Sequence, residues 1–247
     1  MRTAPLLLAC CALAACNFHL GTSTPGSHGN ATFSYASCLF GCGTDQPMML
    51  GTDEGIAVSG DSIPALVATS SAPDVVAVES ISRECCDANQ SCQTIDSGDL
   101  CPSGDKTSSF VVRVRTEAVG SSDLTLRQTD GTVWDAVTLF VERPTSLALT
   151  CDDAPGPVSL RVNDACGLGW TAKDQDGREL MATTGVLLTS ADPTIAAFGQ
   201  FLGEPTGSTE GVQGFLGSTI VGLSPGTTTV TASASGTTAQ LAVHVTK

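Results

Sequence analysis

The apolar residues of this chain recur at every second position. In residues 158–162, Val158, Leu160 and Val162 fall to one side and Ser159 and Arg161 to the other. In residues 229–235, Val230, Ala232 and Ala234 alternate with Thr and Ser, and in residues 240–245, Leu241, Val243 and Val245 alternate with Gln240, Ala242 and His244. Leu124 and Leu126 continue the pattern. A period of two marks a half-buried strand, because successive Cβ atoms leave a pleated ribbon on opposite sides. No window carries a convincing 3.6-residue period, and only residues 81–88 admit a short helix. Asp130-Gly131 and Asp176-Gly177 lie between alternating runs, where a type I′ hairpin turn is expected. The fold class is therefore all-β.

The alternating strands divide into two similar halves. TSSAPDVVAV (69–78) is echoed by LTSADPTIAAF (188–198), and EAVGSSDLTLRQ (117–128) by VGLSPGTTTVTA (221–232). Each half then closes on a valine-rich strand. A repeat of roughly a hundred residues has the size of an Ig-like sandwich. The expected units are a divergent sandwich over 33–144, with a cysteine-rich insertion at 85–101, and a second sandwich over 145–247. SADPTIAAF, GLSPGTTTVTA and LAVHV, in that order, resemble the bacterial Ig-like domains of the intimin and invasin type. The first half matches less well, since its Gly turn lacks Pro-Gly. The resemblance implies a structural or adhesive role on a cell surface and brings no catalytic residues with it.

The chain opens MRTAPLLLACCALAAC. One Arg precedes a short apolar run, too short for the ~20 residues of a spanning helix and suited to an export signal. Leu13-Ala14-Ala15-Cys16 is similar to the lipobox of bacterial lipoproteins. That resemblance implies cleavage after residue 15, lipidation of Cys16, and anchoring in the cell envelope. Asn17 in place of an aspartate favours the outer membrane. Residues 16–32 are rich in Gly, Ser, Thr and Asn and read as a flexible tether, with His19 and His28 solvated in it.

Beyond the signal lie eight cysteines: Cys38, Cys42, Cys85, Cys86, Cys92, Cys101, Cys151 and Cys166. An even number in an exported chain points to disulfides. Cys151 and Cys166 stand apart from the rest and are expected to pair. The other six allow several connectivities. The spacing of the 85–101 cluster matches no zinc pattern of paired C-x₂-C units.

The formal net charge of −14 excludes nucleic acid and anionic lipid surfaces as partners by attraction. GLSPG (222–226) spells the nucleophile elbow G-x-S-x-G. Its context contradicts that chemistry. A strand pattern rather than a helix follows, Pro225 removes the N–H that would line an oxyanion hole, and no acid lies between Ser224 and His244. Pro225-Gly226 is read instead as a type II turn. Asp174 and Asp176 start like a calcium loop, yet the twelfth position is Gly185, so no EF-hand is present. Trp134 and Phe140 are placed on one face of their strand, opposite Val133, Val137, Leu139 and Val141; Trp134 and Trp170 are candidate sugar platforms for which burial is the simpler expectation. No catalytic, cofactor or metal residue is assigned. The function that follows is a lipid-anchored, non-catalytic module for binding an envelope protein or a glycan, with the 85–101 loop as candidate site. A pure spacer, or an accessory part of an envelope enzyme complex, is the alternative.

Overall fold

A computed structural model describes residues 23–37, 42–87, 91–96, 99–102, 106–199, 212–214 and 218–247. Cys16, His19 and Cys38 lie outside the described residues. No helix occurs among the described residues. Residues 81–86, where a short helix was admissible, instead complete a long strand held by partners on both sides.

The first sandwich contains β1 (Thr24–Pro25), β2 (Thr32–Tyr35), β3 (Cys42–Gly43), β4 (Met48–Met49), β5 (Asp53–Ser59), β6 (Leu66–Ser70), β7 (Val76–Cys86), β8 (Cys92–Ile95), β9 (Lys106–Thr116), β10 (Gly120–Gln128) and β11 (Val133–Glu142). One sheet has the order β1-β2-β5-β9-β7-β8, with β3 beside β2, and the facing sheet runs β4-β11-β10-β6. The second sandwich contains β12 (Ser146–Cys151), β13 (Ala154–Pro155), β14 (Val158–Arg161), β15 (Ala165–Lys173), β16 (Glu179–Leu180), β17 (Val186–Ser190), β18 (Ala196–Gly199), β19 (Val212–Gly214), β20 (Thr219–Gly222), β21 (Gly226–Ala234) and β22 (Thr237–Thr246). Its sheets run β13-β12-β15-β20-β18, with β16 beside β15, and β14-β22-β21-β17-β19. The protein is thus two β-sandwiches in tandem, and the alternation places their cores. Val137, Leu139 and Val141 face inward from β11, and Leu241, Val243 and Val245 from β22. Each such aliphatic side chain contributes about 1.5–3 kcal/mol on burial.

The repeat is visible in hydrogen bonds as well as letters. Glu117 N donates to Val75 O at 2.9 Å, and Leu223 N donates to Ile195 O at 2.7 Å, in the matching place. Ser122 Oγ accepts from Ala72 N at 3.0 Å, as Thr228 Oγ1 accepts from Asp192 N at 2.9 Å. These two hydroxyls are buried because each satisfies the turn that precedes the next strand.

Two turn assignments change. At both Asp-Gly sites only the glycine has positive φ, 86° at Gly131 and 79° at Gly177. Gly131 N donates to Gln128 O and Gly177 N to Asp174 O, so each loop has three residues rather than two. That is a type I turn closed by a left-handed glycine, another twist-compatible hairpin. The two-residue turn expected there occurs at Ser235-Gly236, with φ 44° and 86°. Gly226 enters β21 at φ 159°, nearly extended, where a type II turn needs about +80°.

The sandwiches are locked end to end. The linker follows the end of β11 and leads into the start of β12. Across this joint Met49 N donates to Met181 O and Met181 N to Pro47 O, both at 2.8 Å. The two methionines are exchanged: Met49 packs into the second core, and Met181 into the first. Buried Glu54 of β5 accepts the Thr183 backbone N–H at 2.9 Å and also the Thr183 hydroxyl. Asp53 N donates to Thr184 Oγ1 at 2.8 Å, and Ser235 Oγ donates to Leu50 O at 2.6 Å. β7 and β9 carry the disulfide-bonded hairpin to the opposite pole of the first sandwich, since Thr116 lies at the joint and Lys106 pairs with Cys86.

Candidate functional site

The insertion begins inside β7. Cys85 and Cys86 are its last residues, and β8 returns antiparallel with Cys86 opposite Cys92. Cys86–Cys92 closes this pair, and Cys85–Cys101 ties the following loop back to the strand. In the chain-entropy view these closures are worth about 2 and about 3 kcal/mol. Beneath the hairpin lies Arg83, 1% exposed. Its Nη1 donates to Ile63 O at 3.0 Å and Thr107 Oγ1 at 2.8 Å, its Nη2 donates to Pro64 O, and its guanidinium lies 5.3 Å from the Phe110 ring centre. A buried cation held by carbonyls and an aromatic face fixes the base of the hairpin against the 60–65 loop. Leu100 is 62% exposed beside disulfide-bonded Cys101, an apolar residue offered to solvent.

Glu84, Cys86 and Cys92 lie close enough together to suggest a metal site. Both cysteines are spent in one disulfide, so their sulfurs are not thiolate ligands. Cys151 and Cys166 are also joined, at the pole of the second sandwich away from the joint. Cys42 is disulfide-bonded as well.

Ser224 is not brought to a base. Its Oγ donates to Thr194 O at 2.6 Å, which fastens the loop before β21. His244 Nδ1 instead sits 3.0 Å from Thr227 Oγ1 on an exposed strand face. Asp174 is committed as well. Burial raises its pKa, but hydrogen bonds from Arg178, through backbone N–H and guanidinium, and from Asp176 N outweigh that and hold the carboxyl below its usual range. A calcium ion there would have to displace Arg178.

The tryptophans leave no platform. The register of β10 on β11 slips between Leu126 and Arg127, which pair with Asp135 and Val133. Trp134 is the extra residue of that bulge, and its ring turns into the first core instead of sharing the outer face with Phe140. Trp170 is half-buried and donates Nε1–H to Ala182 O at 2.6 Å. Phe140 stays outside, 42% exposed.

The same bulge aims Asp135 at a feature absent from the sequence reading. Residues 24–32, assigned to a tether, form β1 and a loop closed over this carboxylate. Oδ1 accepts from His28 N at 2.9 Å and Ala136 N at 2.8 Å, and Oδ2 from Asn30 N at 2.9 Å and Ala31 N at 2.8 Å. Asp135 is fully buried. Gly26 is required beside it, since a Cβ there would lie 2.2 Å from Oδ1. A Gly/Ser/Asn-rich segment looks flexible because it buries no side chains; this one is held through its backbone. An aspartate in the middle of a valine-rich strand was the available signal.

No protein-family model matches the chain, and no characterised relative is found by sequence. Solved structures with a similar arrangement include domains 4 and 5 of the surface-layer protein SbsC, at 13% identity over 88% of this chain and 100% of that one, with TM-score 0.31. The Escherichia coli adhesin FdeC is 16% identical over 90% of this chain and 66% of that one, with TM-score 0.31. A glycoside hydrolase family 2 β-glucuronidase is 15% identical over 88% of this chain and 20% of that one, with TM-score 0.32. These likenesses span a surface-layer protein, an adhesin and a glycosidase, and at such TM-scores none assigns this chain a role.

Proposed function

We propose that this is a cell-envelope protein, lipidated at Cys16 and held at the outer membrane, that presents two rigidly joined Ig-like sandwiches as a non-catalytic binding module. The observation that carries the reading is the disulfide-bonded β7–β8 hairpin at the free pole of the first sandwich. Pre-ordered elements bind with less ordering cost than mobile ones, so two staples and a buried arginine pre-organise strands β7 and β8 for recognition. The partner class is an envelope protein or a glycan. The mechanism is presentation: the anchor fixes the chain to the membrane, and the joint keeps the second sandwich from folding back over the first.

Retention of envelope proteins and glycans on immobilised residues 17–247 tests the binding step. Saturable retention that disappears when residues 87–100 are replaced by a Gly-Ser turn, with Cys85, Cys86 and Cys101 changed to Ser, is the expected result. Equal retention by the two forms would remove the hairpin from the site. For the anchor, Cys16→Ala should release the protein from membranes; continued membrane retention would refute lipidation. The methionine exchange at the joint favours a second reading, a pure spacer, which the absence of any retention would establish over the first.

A further inference from the structure

The exposed edge of β11 contains a gap. Ser27 N donates to Ala136 O at 2.9 Å, and Leu50 N donates to Glu142 O at 2.9 Å, so the strap over Asp135 covers one part of this edge and the chain around β4 another. Alternate residues of an antiparallel strand point their backbone groups to the same neighbour. Thr138 therefore presents its N–H and C=O along this edge, between the two covered stretches, and among the described residues nothing takes them. A groove of about 460 Å³ opens at this place, lined by Pro25 and Ser27 of the strap, Thr138 and Phe140 of β11, and Asp45 and Asp123. That volume falls in the range of small-ligand sites.

Register defines the chemistry. Phe140 lies opposite Ser121, whose small side chain leaves the ring uncovered, and Thr138 lies opposite Asp123. Phe140 and Asp123 are thus diagonal neighbours on one face, about 7–8 Å apart at the backbone. Thr138 Oγ1 donates to Asp123 Oδ1 at 2.7 Å and leaves Oδ2 for a ligand. Both ionisable residues of the groove are acidic, in a chain of net charge −14. Arg127, further along the same strand, turns to the Gly131 carbonyl.

We propose that this groove takes an extended, arginine-bearing segment of a partner protein. Its backbone pairs with Thr138 as a short added strand. Its guanidinium lies on the Phe140 ring and reaches the Asp123 carboxylate, a combination that suits a planar cation better than an ammonium. The proposal rests on the binding reading above and adds a second contact region to the hairpin.

The test is an NMR titration of ¹⁵N-labelled, oxidised residues 17–247 with the peptide Ac-Thr-Arg-Thr-NHMe. Its citrulline analogue and methyl α-glucoside serve as comparisons. The arginine peptide alone should shift the Ser27, Thr138 and Phe140 amides saturably. Phe140→Ala and Asp123→Asn, both surface changes whose folding the same spectra report, should each weaken it about fivefold, within the range of an exposed cation–π contact or ion pair. Equal binding by the citrulline peptide, shifts of the same amides by the glucoside, or indifference to both substitutions would overturn the proposal. Hairpin-dependent retention that survives a negative titration would separate failure here from failure of the binding reading.

Discussion

Asp135→Asn should unfasten the strap without unfolding the sandwich. Each carboxylate oxygen accepts two backbone N–H groups, at 2.8 and 2.9 Å. An asparagine has one oxygen, so whichever way it is turned its NH₂ faces two donors. Either His28 and Ala136 or Asn30 and Ala31 lose their acceptor. Ala136 belongs to β11, so the strap itself loses one such bond or two; hydrogen bonds to a charged group contribute about 1.5–3 kcal/mol each, and the loss is about 1.5–6 kcal/mol. At 1.4 kcal/mol per decade this accelerates opening of the strap by about 10–10⁴-fold. Native-state hydrogen exchange reads this directly at the His28, Asn30 and Ala31 amides. Exchange at β5 and β9, which do not touch the strap carboxylate, should change far less. An acceleration below tenfold at those three amides would refute the claim that the carboxylate holds the strap. Equal acceleration across the whole first sandwich would show that the strap is part of the global folding unit.

Two further outcomes follow from the joint. Met49→Ala and Met181→Ala should each cost about 2–5 kcal/mol, as buried methionine truncations do, and should split one calorimetric transition into two by uncoupling the sandwiches; a single unshifted transition would contradict the methionine exchange. Glu54 has its pKa raised, mainly by burial, with Asp53 adding to the rise and Thr183 and Ser37 opposing it. Folded protein therefore binds this proton more readily than unfolded protein, so the Glu54 contribution to stability grows as pH falls through the raised pKa and is complete below the unfolded value near 4.3. Denaturant midpoints of Glu54→Gln should be flatter over that window than those of the parent, and parallel profiles would count against it.

What the sequence disclosed and what it hid separate along one physical line. Strand identity, inward faces and the repeat depend on side chains meeting water or core, and a period of two records that directly. The inward positions of β21 and β22 follow letter by letter. Features made by the backbone leave weaker traces. A single bulge in β11 moves Trp134 from the outer face to the core and turns Asp135 toward the strap, although no residue type announces a bulge. The same limit applies to the turns, where Asp-Gly serves two hairpin geometries equally well, and to residues 24–32, whose order comes from main-chain N–H groups that every sequence possesses. Glu54 and Met181 were silent for a different reason: their partners are 129 residues away for Glu54 and Thr183, and no local pattern encodes a joint. The candidate contacts fall instead where strand pairing stops, at a disulfide-bonded extension of β7 and at a gap along the edge of β11. A strand paired on both sides satisfies its own backbone, whereas an uncovered length of edge leaves a donor and an acceptor at Thr138, beside the exposed Phe140, for another molecule.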